Sequence, residues 1–116
     1  MGKILQIRVY AYTYDENEVR KTWPKLWHMA FETFKPGFPR ETAGALELVR
    51  ALDDLYQFGD MPEAARTVLA SGLPPVVKAT EELQRHLADW NPQAANQATD
   101  RIEEGLAELE KQAPKP

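Results

Sequence analysis

The amino-terminal segment limits the possible folds of this chain more than any other feature. Residues 3–14 read Lys-Ile-Leu-Gln-Ile-Arg-Val-Tyr-Ala-Tyr-Thr-Tyr, and their β-branched and aromatic content favours a strand over a helix. The backbone of a strand needs hydrogen-bonding partners, yet no second segment of comparable length has this character. We therefore predict one long N-terminal β-strand, with a continuous helix as far as residue 34 as the alternative.

The two faces of this strand predict how it is used. Leu5, Ile7 and Val9 point to one side, whereas three tyrosines point to the other. A row of exposed rings usually packs against a partner, and the simplest partner for the strand is the same strand of a second subunit. We therefore predict a homodimer paired through residues 4–13, and another protein is a further possible partner. The predicted dimer interface comprises Leu5, Ile7, Val9, Tyr10, Tyr12 and Tyr14.

Residues that typically begin and end helices follow the predicted strand. Asp15 is a candidate N-cap of the first helix, and Pro24 predicts a kink or a restart within that helix. The residues around Lys35–Pro39 end it, and a second helix extends from about residue 41 to Phe58, where Gly59 stops it.

Three further helices are expected after residue 59. A short third helix is predicted between an Asp60 cap and Gly72, and Pro74-Pro75 would begin a fourth. Asn91-Pro92 ends the fourth helix and opens the fifth. The predicted fold is thus mainly α, a bundle of four to five helices preceded by the strand. Residues 1–112 would form one domain, and residues 113–116 a disordered tail.

Composition excludes some classes of function. The 116 residues include no cysteine, which rules out disulfides, thiolate catalysis and Cys-ligated metal sites. The net charge of −4 comes from the second half of the chain and disfavours nucleic-acid binding, which normally needs a basic face. No segment resembles a signal peptide or a membrane span, so we predict a cytoplasmic protein that binds no membrane.

Aromatic residues are concentrated in one half of the chain. Ten of the eleven lie between Tyr10 and Phe58. Most of them are expected to fill the core, because large rings dominate core burial. The alternative is a ligand pocket between the first two helices. Its candidate lining residues are Trp23, Trp27, His28, Phe31 and Tyr56.

Candidate metal ligands are sparse. His28 and Glu32 are one helical turn apart, and so are Glu82 and His86. Such pairs are common on helix surfaces, and we interpret them as ion pairs. We predict no metal site, no cofactor and no catalytic residue.

The order of the elements resembles that of ribbon–helix–helix repressors. A strand with Gln6 and Arg8 on its solvent side precedes two helices. The resemblance implies DNA binding, in which a dimeric β-ribbon enters the major groove. Tyr10, Tyr12 and Tyr14 depart from it, because such readers are usually polar.

These observations favour a homodimeric protein-interaction or assembly module without catalysis. The alternatives are a bundle that binds a small molecule or a metal in an aromatic pocket, and a ribbon–helix-type DNA-binding protein.

Overall fold

The structure, a computed structural model, describes residues 10–33 and 44–114, and 82% of these residues lie in helices. The mainly helical fold predicted from the sequence is thus confirmed. Within the described ranges there are five α-helices, and a π-helical segment, His28–Thr33, continues the second of them. The helices are α1 (Glu16–Thr22), α2 (Pro24–Trp27), α3 (Ala45–Phe58), α4 (Glu63–Ala88) and α5 (Pro92–Gln112).

The predicted break at Pro24 is confirmed. The Asp15 carboxylate accepts a hydrogen bond of 2.9 Å from the Asn17 backbone N–H and caps α1. Trp23 then leaves the helical conformation, with φ −127° and ψ 62°, and Pro24 is the first residue of α2. Proline suits this position because its missing N–H would have had no helical partner there.

The predicted boundary between a third and a fourth helix is wrong, because α4 is continuous from Glu63 to Ala88. Pro74 and Pro75 lie inside it, and each removes one hydrogen bond to the carbonyl four residues earlier, Ala70 or Ser71. All four of these residues are exposed. The two carbonyls that lose a bond thus belong to exposed residues, Ala70 and Ser71. Water can replace the lost partners there, which limits the cost of the two missing hydrogen bonds.

Gly72 does not end a helix but brings α4 close to α5. A Cβ atom built on Gly72 would lie 2.5 Å from Leu109 Cδ2, and one built on Gly105 would collide with Val76 Cγ2. Each glycine thus leaves space for a buried side chain of the facing helix. Burial of α4 against α5 explains why the helix persists through two prolines, since packing contributes more to helix stability than local propensity does.

The core is formed by apolar side chains from all of these helices. The inner face predicted for α5 is confirmed, because Ala95, Ala98, Ile102, Leu106 and Leu109 are all buried. Trp23, Trp27 and Phe31 contribute from the first helices, as expected for large rings, whereas Phe34 lies outside the described residues. The leucines with at most 1% exposure are Leu26, Leu48, Leu52, Leu69, Leu73, Leu83, Leu106 and Leu109.

The remaining predicted helix ends are partly confirmed by the structure. Helix α4 begins after Pro62 and has no side-chain cap, so Asp60 is not its cap. Gly59 is confirmed as the residue that ends α3, while Lys35–Pro39 and residues 41–43 lie outside the described part. Ala113, the first residue of the predicted tail, is buried in the core, and residues 115–116 lie outside the described part.

The described part of the predicted N-terminal strand is not a strand. Residues 10–14 have no β-structure, and no β-strand occurs anywhere in the described ranges. The Thr13 hydroxyl accepts a hydrogen bond from the Ala45 N–H, so this segment contacts the beginning of α3. Residues 3–9, which include Leu5, Ile7 and Val9, lie outside the described residues.

A carboxylate of α5 caps α2 from a distance of more than eighty residues in sequence. The Trp23 side chain makes no capping bond, and the Glu110 carboxylate takes its place. It accepts hydrogen bonds from the backbone N–H groups of Lys25 at 3.2 Å and Leu26 at 3.0 Å. The ammonium group of Lys25 also donates to the Ala113 carbonyl at 2.9 Å. A negative charge is favourable here because the first N–H groups of a helix lack partners.

We expect the substitution Glu110→Ala to lower the free energy of unfolding by about 2 kcal/mol, because two half-buried N–H groups lose a charged acceptor. Glu108→Ala is the matched control, since it removes an exposed carboxylate of the same helix whose partners among the described residues are Lys111 and Gln112. Urea denaturation monitored by tryptophan fluorescence measures both effects. Equal losses in the two variants would show that Glu110 does not stabilise α2.

The turn between α4 and α5 contains a left-handed residue that is not glycine. Trp90 has φ 56° and is 65% exposed. Its N–H donates to the Leu87 carbonyl, and the Asn91 N–H donates to the His86 carbonyl at 2.9 Å. These two bonds form a Schellman motif, in which glycine usually occupies the position of Trp90. The Asn91 side chain then caps α5 by accepting from the Ala94 N–H, as the sequence predicts.

We expect Trp90→Gly to raise the free energy of unfolding by about 1 kcal/mol, because it relieves a left-handed conformation that is costly for other residues. Trp90→Ala is the control: it removes the same exposed ring but keeps the Cβ atom, and we expect no comparable gain. Thermal denaturation of both variants would measure the difference. An equal gain with alanine would mean that the exposed ring, rather than the backbone, is the source of the cost.

Candidate functional site

An open cavity of about 400 Å³ lies beside the segment that precedes α1. We call it the N-terminal cavity. Residues 11–15 and α1 form one side of it, the beginning of α3 forms another, and α4 and α5 complete the wall. Its lining residues are Ala11, Tyr12, Thr13, Tyr14, Asp15, Glu18, Val19, Thr22, Trp23, Ala45, Leu46, Leu83, Thr99, Ile102 and Glu103.

Hydrogen bonds at the start of α3 hold the segment before α1 in place. Gly44 lies at the N-cap position of α3 and has no side chain that could accept a bond. The Thr13 hydroxyl replaces it and accepts from the Ala45 N–H at 2.7 Å. The Glu47 carboxylate accepts from the Gly44 N–H at 3.0 Å. The N-terminus of α3 is therefore capped from another part of the chain, and this contact shapes one wall of the cavity.

The tyrosine row lies on the outer side of this segment. Tyr10, Tyr12 and Tyr14 are 71%, 82% and 96% exposed, whereas the intervening Ala11 and Thr13 are partly buried. Exposure thus alternates with a period of two, as in an extended chain that lies along a surface. The three tyrosines thus share one side of the segment, as the sequence predicts, although the segment is not a strand. Tyr12 and Tyr14 contribute to the mouth of the cavity.

The charged side chains that line the cavity are acidic in the part of the chain that the structure describes. They are those of Asp15, Glu18 and Glu103, and no described lysine, arginine or histidine lines it. Glu18 Oε1 lies 4.0 Å from Lys21 Nζ, and both side chains are exposed. The interior wall is apolar, with Val19, Leu83 and Ile102 among its residues. The cavity thus combines an apolar interior with an acidic mouth.

One polar atom in the wall lacks a hydrogen bond. Trp23 is 6% exposed, and its indole N–H is buried without an acceptor; it is the one such side-chain atom among the described residues. Buried donors in native proteins are nearly always paired with protein or water, and an unmet donor costs about 1–3 kcal/mol. Because this atom is itself buried, it is not exposed at the surface of the cavity.

The structure places the five predicted pocket residues in different surroundings. Trp23 alone among them lines the N-terminal cavity. Trp27 and Phe31 pack edge to face, with ring centroids 4.7 Å apart and an interplanar angle of 67°. The ring of Tyr56 on α3 lies 5.1 Å from the Arg66 guanidinium carbon of α4. His28 is half-buried in the π-helical segment. A shared pocket of these five residues stays a prediction.

The candidate metal ligands are engaged elsewhere or lie outside the description. Glu82 accepts a hydrogen bond of 2.8 Å from Arg101, which forms an ion pair between α4 and α5. The side chain of Glu32, the predicted neighbour of His28, is outside the described part. Within residues 10–33 and 44–114, no group of three or more acidic, histidine or cysteine side chains is arranged to hold a metal ion.

Sequence patterns do not identify the far wall of the cavity. Leu83, Thr99 and Ile102 belong to helices that begin more than forty residues after Thr13. Leu83 and Ile102 show only the spacing of core residues, and Thr99 shows no pattern at all. The cavity depends on how α4 and α5 meet the N-terminal segment, and no local signal reports such a contact.

Comparison of the chain with protein-family models, with curated proteins and with solved structures found no match in any of the three. Among the described helices, none has both the length and the apolar character needed to cross a bilayer.

We expect Thr13→Val to lower the free energy of unfolding by about 1 kcal/mol, because the isosteric side chain cannot accept the hydrogen bond from Ala45. Hydrogen exchange of the Ala45 amide should also become faster. Thr67→Val is the matched control, since the Thr67 hydroxyl donates only to a carbonyl of its own exposed helical turn. Unchanged exchange at Ala45 would contradict the proposed cap.

Proposed function

We propose that the protein is a homodimeric interaction or assembly module without catalysis, in which residues 4–13 of two chains meet. The observation that carries this proposal is the tyrosine row: three rings at alternate positions, each more than two thirds exposed. Exposed apolar surface in one contiguous patch is typical of interaction sites. Tyrosine suits such a surface because it provides a large contact area and a polar group with few rotatable bonds.

The attachment of the row supports the same proposal. Thr13 is hydrogen-bonded to α3, and Ala11 packs against the core. The tyrosines therefore extend from a segment that is fixed at two points, which reduces the entropy lost when a partner binds. Leu5, Ile7 and Val9 would extend the interface in the amino-terminal direction. They stay predictions, as does the cytoplasmic location.

A symmetric dimer would place the same row on both chains. In a two-fold interface each surface patch meets its own copy, so Tyr10, Tyr12 and Tyr14 of one chain would contact the corresponding segment of the other. Aromatic pairs add about 0.5–1.5 kcal/mol each beyond the area that they bury.

Light scattering coupled to size-exclusion chromatography tests the proposal. We expect the wild-type chain to have twice the mass of 13.2 kDa, and we expect the triple variant Tyr10→Ser, Tyr12→Ser, Tyr14→Ser to have the mass of one chain. Phe58→Ser is the matched control, because Phe58 is also highly exposed but lies at the opposite end of α3 from Ala45. A wild-type protein that stays monomeric at high micromolar concentration would refute the homodimer.

A second candidate function is small-molecule binding in the N-terminal cavity. Its volume of about 400 Å³ lies in the range of ligand sites, which are concave and mostly apolar with a few polar groups. The N-terminal cavity is not the aromatic pocket predicted between the first two helices. Of the five residues predicted to line that pocket, it includes Trp23 alone.

A further inference from the structure

We infer that residues 16–27, which form α1 and α2, open from α5 as a unit while α3, α4 and α5 stay folded. We call these residues the strap. Three of them, Val19, Thr22 and Trp23, line the N-terminal cavity, so the strap is a movable wall of that cavity. The opening is a movement within one chain and does not depend on the proposed dimer.

Both ends of the strap are fastened to α3. Three residues before the strap, the Thr13 hydroxyl accepts a hydrogen bond of 2.7 Å from the Ala45 N–H at the start of α3. After the strap, α2 is followed directly by the π-helical segment His28–Thr33, which packs against α3. Between these two points the strap contacts α5. Release from α5 can therefore leave both ends in place, as in a hinged movement.

A carboxylate of α5 acts as the latch of the strap. Glu110 accepts hydrogen bonds from the backbone N–H groups of Lys25 at 3.2 Å and Leu26 at 3.0 Å. The ammonium group of Lys25 donates in turn to the Ala113 carbonyl at 2.9 Å. All three bonds are partly buried, and each joins polar groups that water can satisfy after they separate. The latch thus consists of contacts that water replaces when the strap opens.

The strap has little stability of its own. Helix α1 has seven residues and α2 has four, and helices of this length need tertiary contacts to persist in water. The backbone leaves the helical conformation between them, at Trp23. The indole N–H of Trp23 is buried without an acceptor, and opening brings this donor into water. The closed strap therefore carries a desolvation cost that the open strap does not.

Opening of the strap exposes much less surface than unfolding of the whole chain. It uncovers the buried side chains of Val19, Trp23 and Leu26, together with the faces that they cover. Global unfolding also exposes the buried residues of α3, α4 and α5. Because the cost of exposing apolar side chains grows with their area, the strap is expected to open well before the remainder of the protein unfolds.

Hydrogen exchange of the full chain at increasing, sub-denaturing urea concentrations tests the inference. The Trp23 N–H donates to the Val19 carbonyl, and the Trp27 N–H donates to the Trp23 carbonyl, so both amides report on the strap. We expect them to share one exchange free energy and to exchange about tenfold or more faster than the amides of Leu83 and Ile102. Their dependence on urea should be weaker, because it scales with the surface exposed.

Two results of this experiment would overturn the inference. Equal rates and equal urea dependences in the strap and in α4 and α5 would mean that the strap unfolds together with the whole chain. Different exchange free energies for Trp23 and Trp27 would mean that α1 and α2 fray separately rather than open as a unit.

Variants test the latch and the independence of the opening. Glu110→Gln weakens the acceptor of α2 and should accelerate exchange of the Trp27 amide about tenfold. Glu108→Gln is the matched control at an exposed position of the same helix, and it should leave that rate unchanged. Ala98→Gly destabilises α5 at a buried position that does not line the cavity. It should accelerate exchange of the Leu83 amide about tenfold without changing that of Trp27.

The variants separate the latch from the movement itself. Equal acceleration of the strap by Glu110→Gln and Glu108→Gln would refute the latch. Equal acceleration of the Leu83 and Trp27 amides by Ala98→Gly would refute the independent opening of the strap. Neither result bears on the homodimer, which is measured by mass.

Discussion

The close contact between α4 and α5 supports the rest of the described structure. Gly72 of α4 leaves space for Leu109, and Gly105 of α5 leaves space for Val76, so the two longest helices approach each other closely at two points. The ion pair between Glu82 and Arg101 joins the same helices further along. Burial along this contact explains why α4 continues through two adjacent prolines. The prolines themselves face outward, where the lost hydrogen bonds cost least.

Two of the other helices depend on remote residues for their N-terminal caps. Helix α2 begins after a break and has no capping side chain of its own, so the Glu110 carboxylate of α5 accepts its first N–H groups. Helix α3 begins at a glycine, and the Thr13 hydroxyl caps it. In both places a helix that lacks a local cap receives one from a remote residue. Since unpaired N–H groups at helix ends are costly when partly buried, these bonds also fix the positions of the N-terminal segment and α1.

The candidate site arises from that arrangement. Thr13 holds residues 11–15 at the start of α3, and the opposite wall comes from Leu83 and Ile102. The resulting cavity is apolar inside and acidic at its mouth, and the tyrosine row extends beside it. The same short segment thus carries the proposed dimer contact on its outer side and lines the cavity on its inner side.

Local chemistry alone determines that the chain is mainly helical, that a helix restarts at Pro24, that Asn91-Pro92 begins α5, and which residues of α5 face inward. These features depend on caps, prolines and helical spacing, and each of them acts within a few residues. The exposure of alternate tyrosines was predictable for the same reason. The tertiary structure decides whether Gly72 and Pro74 end a helix, because only contact with Leu109 and its neighbours outweighs their helix-breaking tendency. It also decides that Thr13 and Glu110 act as caps and that Trp23 and Thr99 line the same cavity. These residues are far apart in the chain, and their proximity depends on the packing of whole helices.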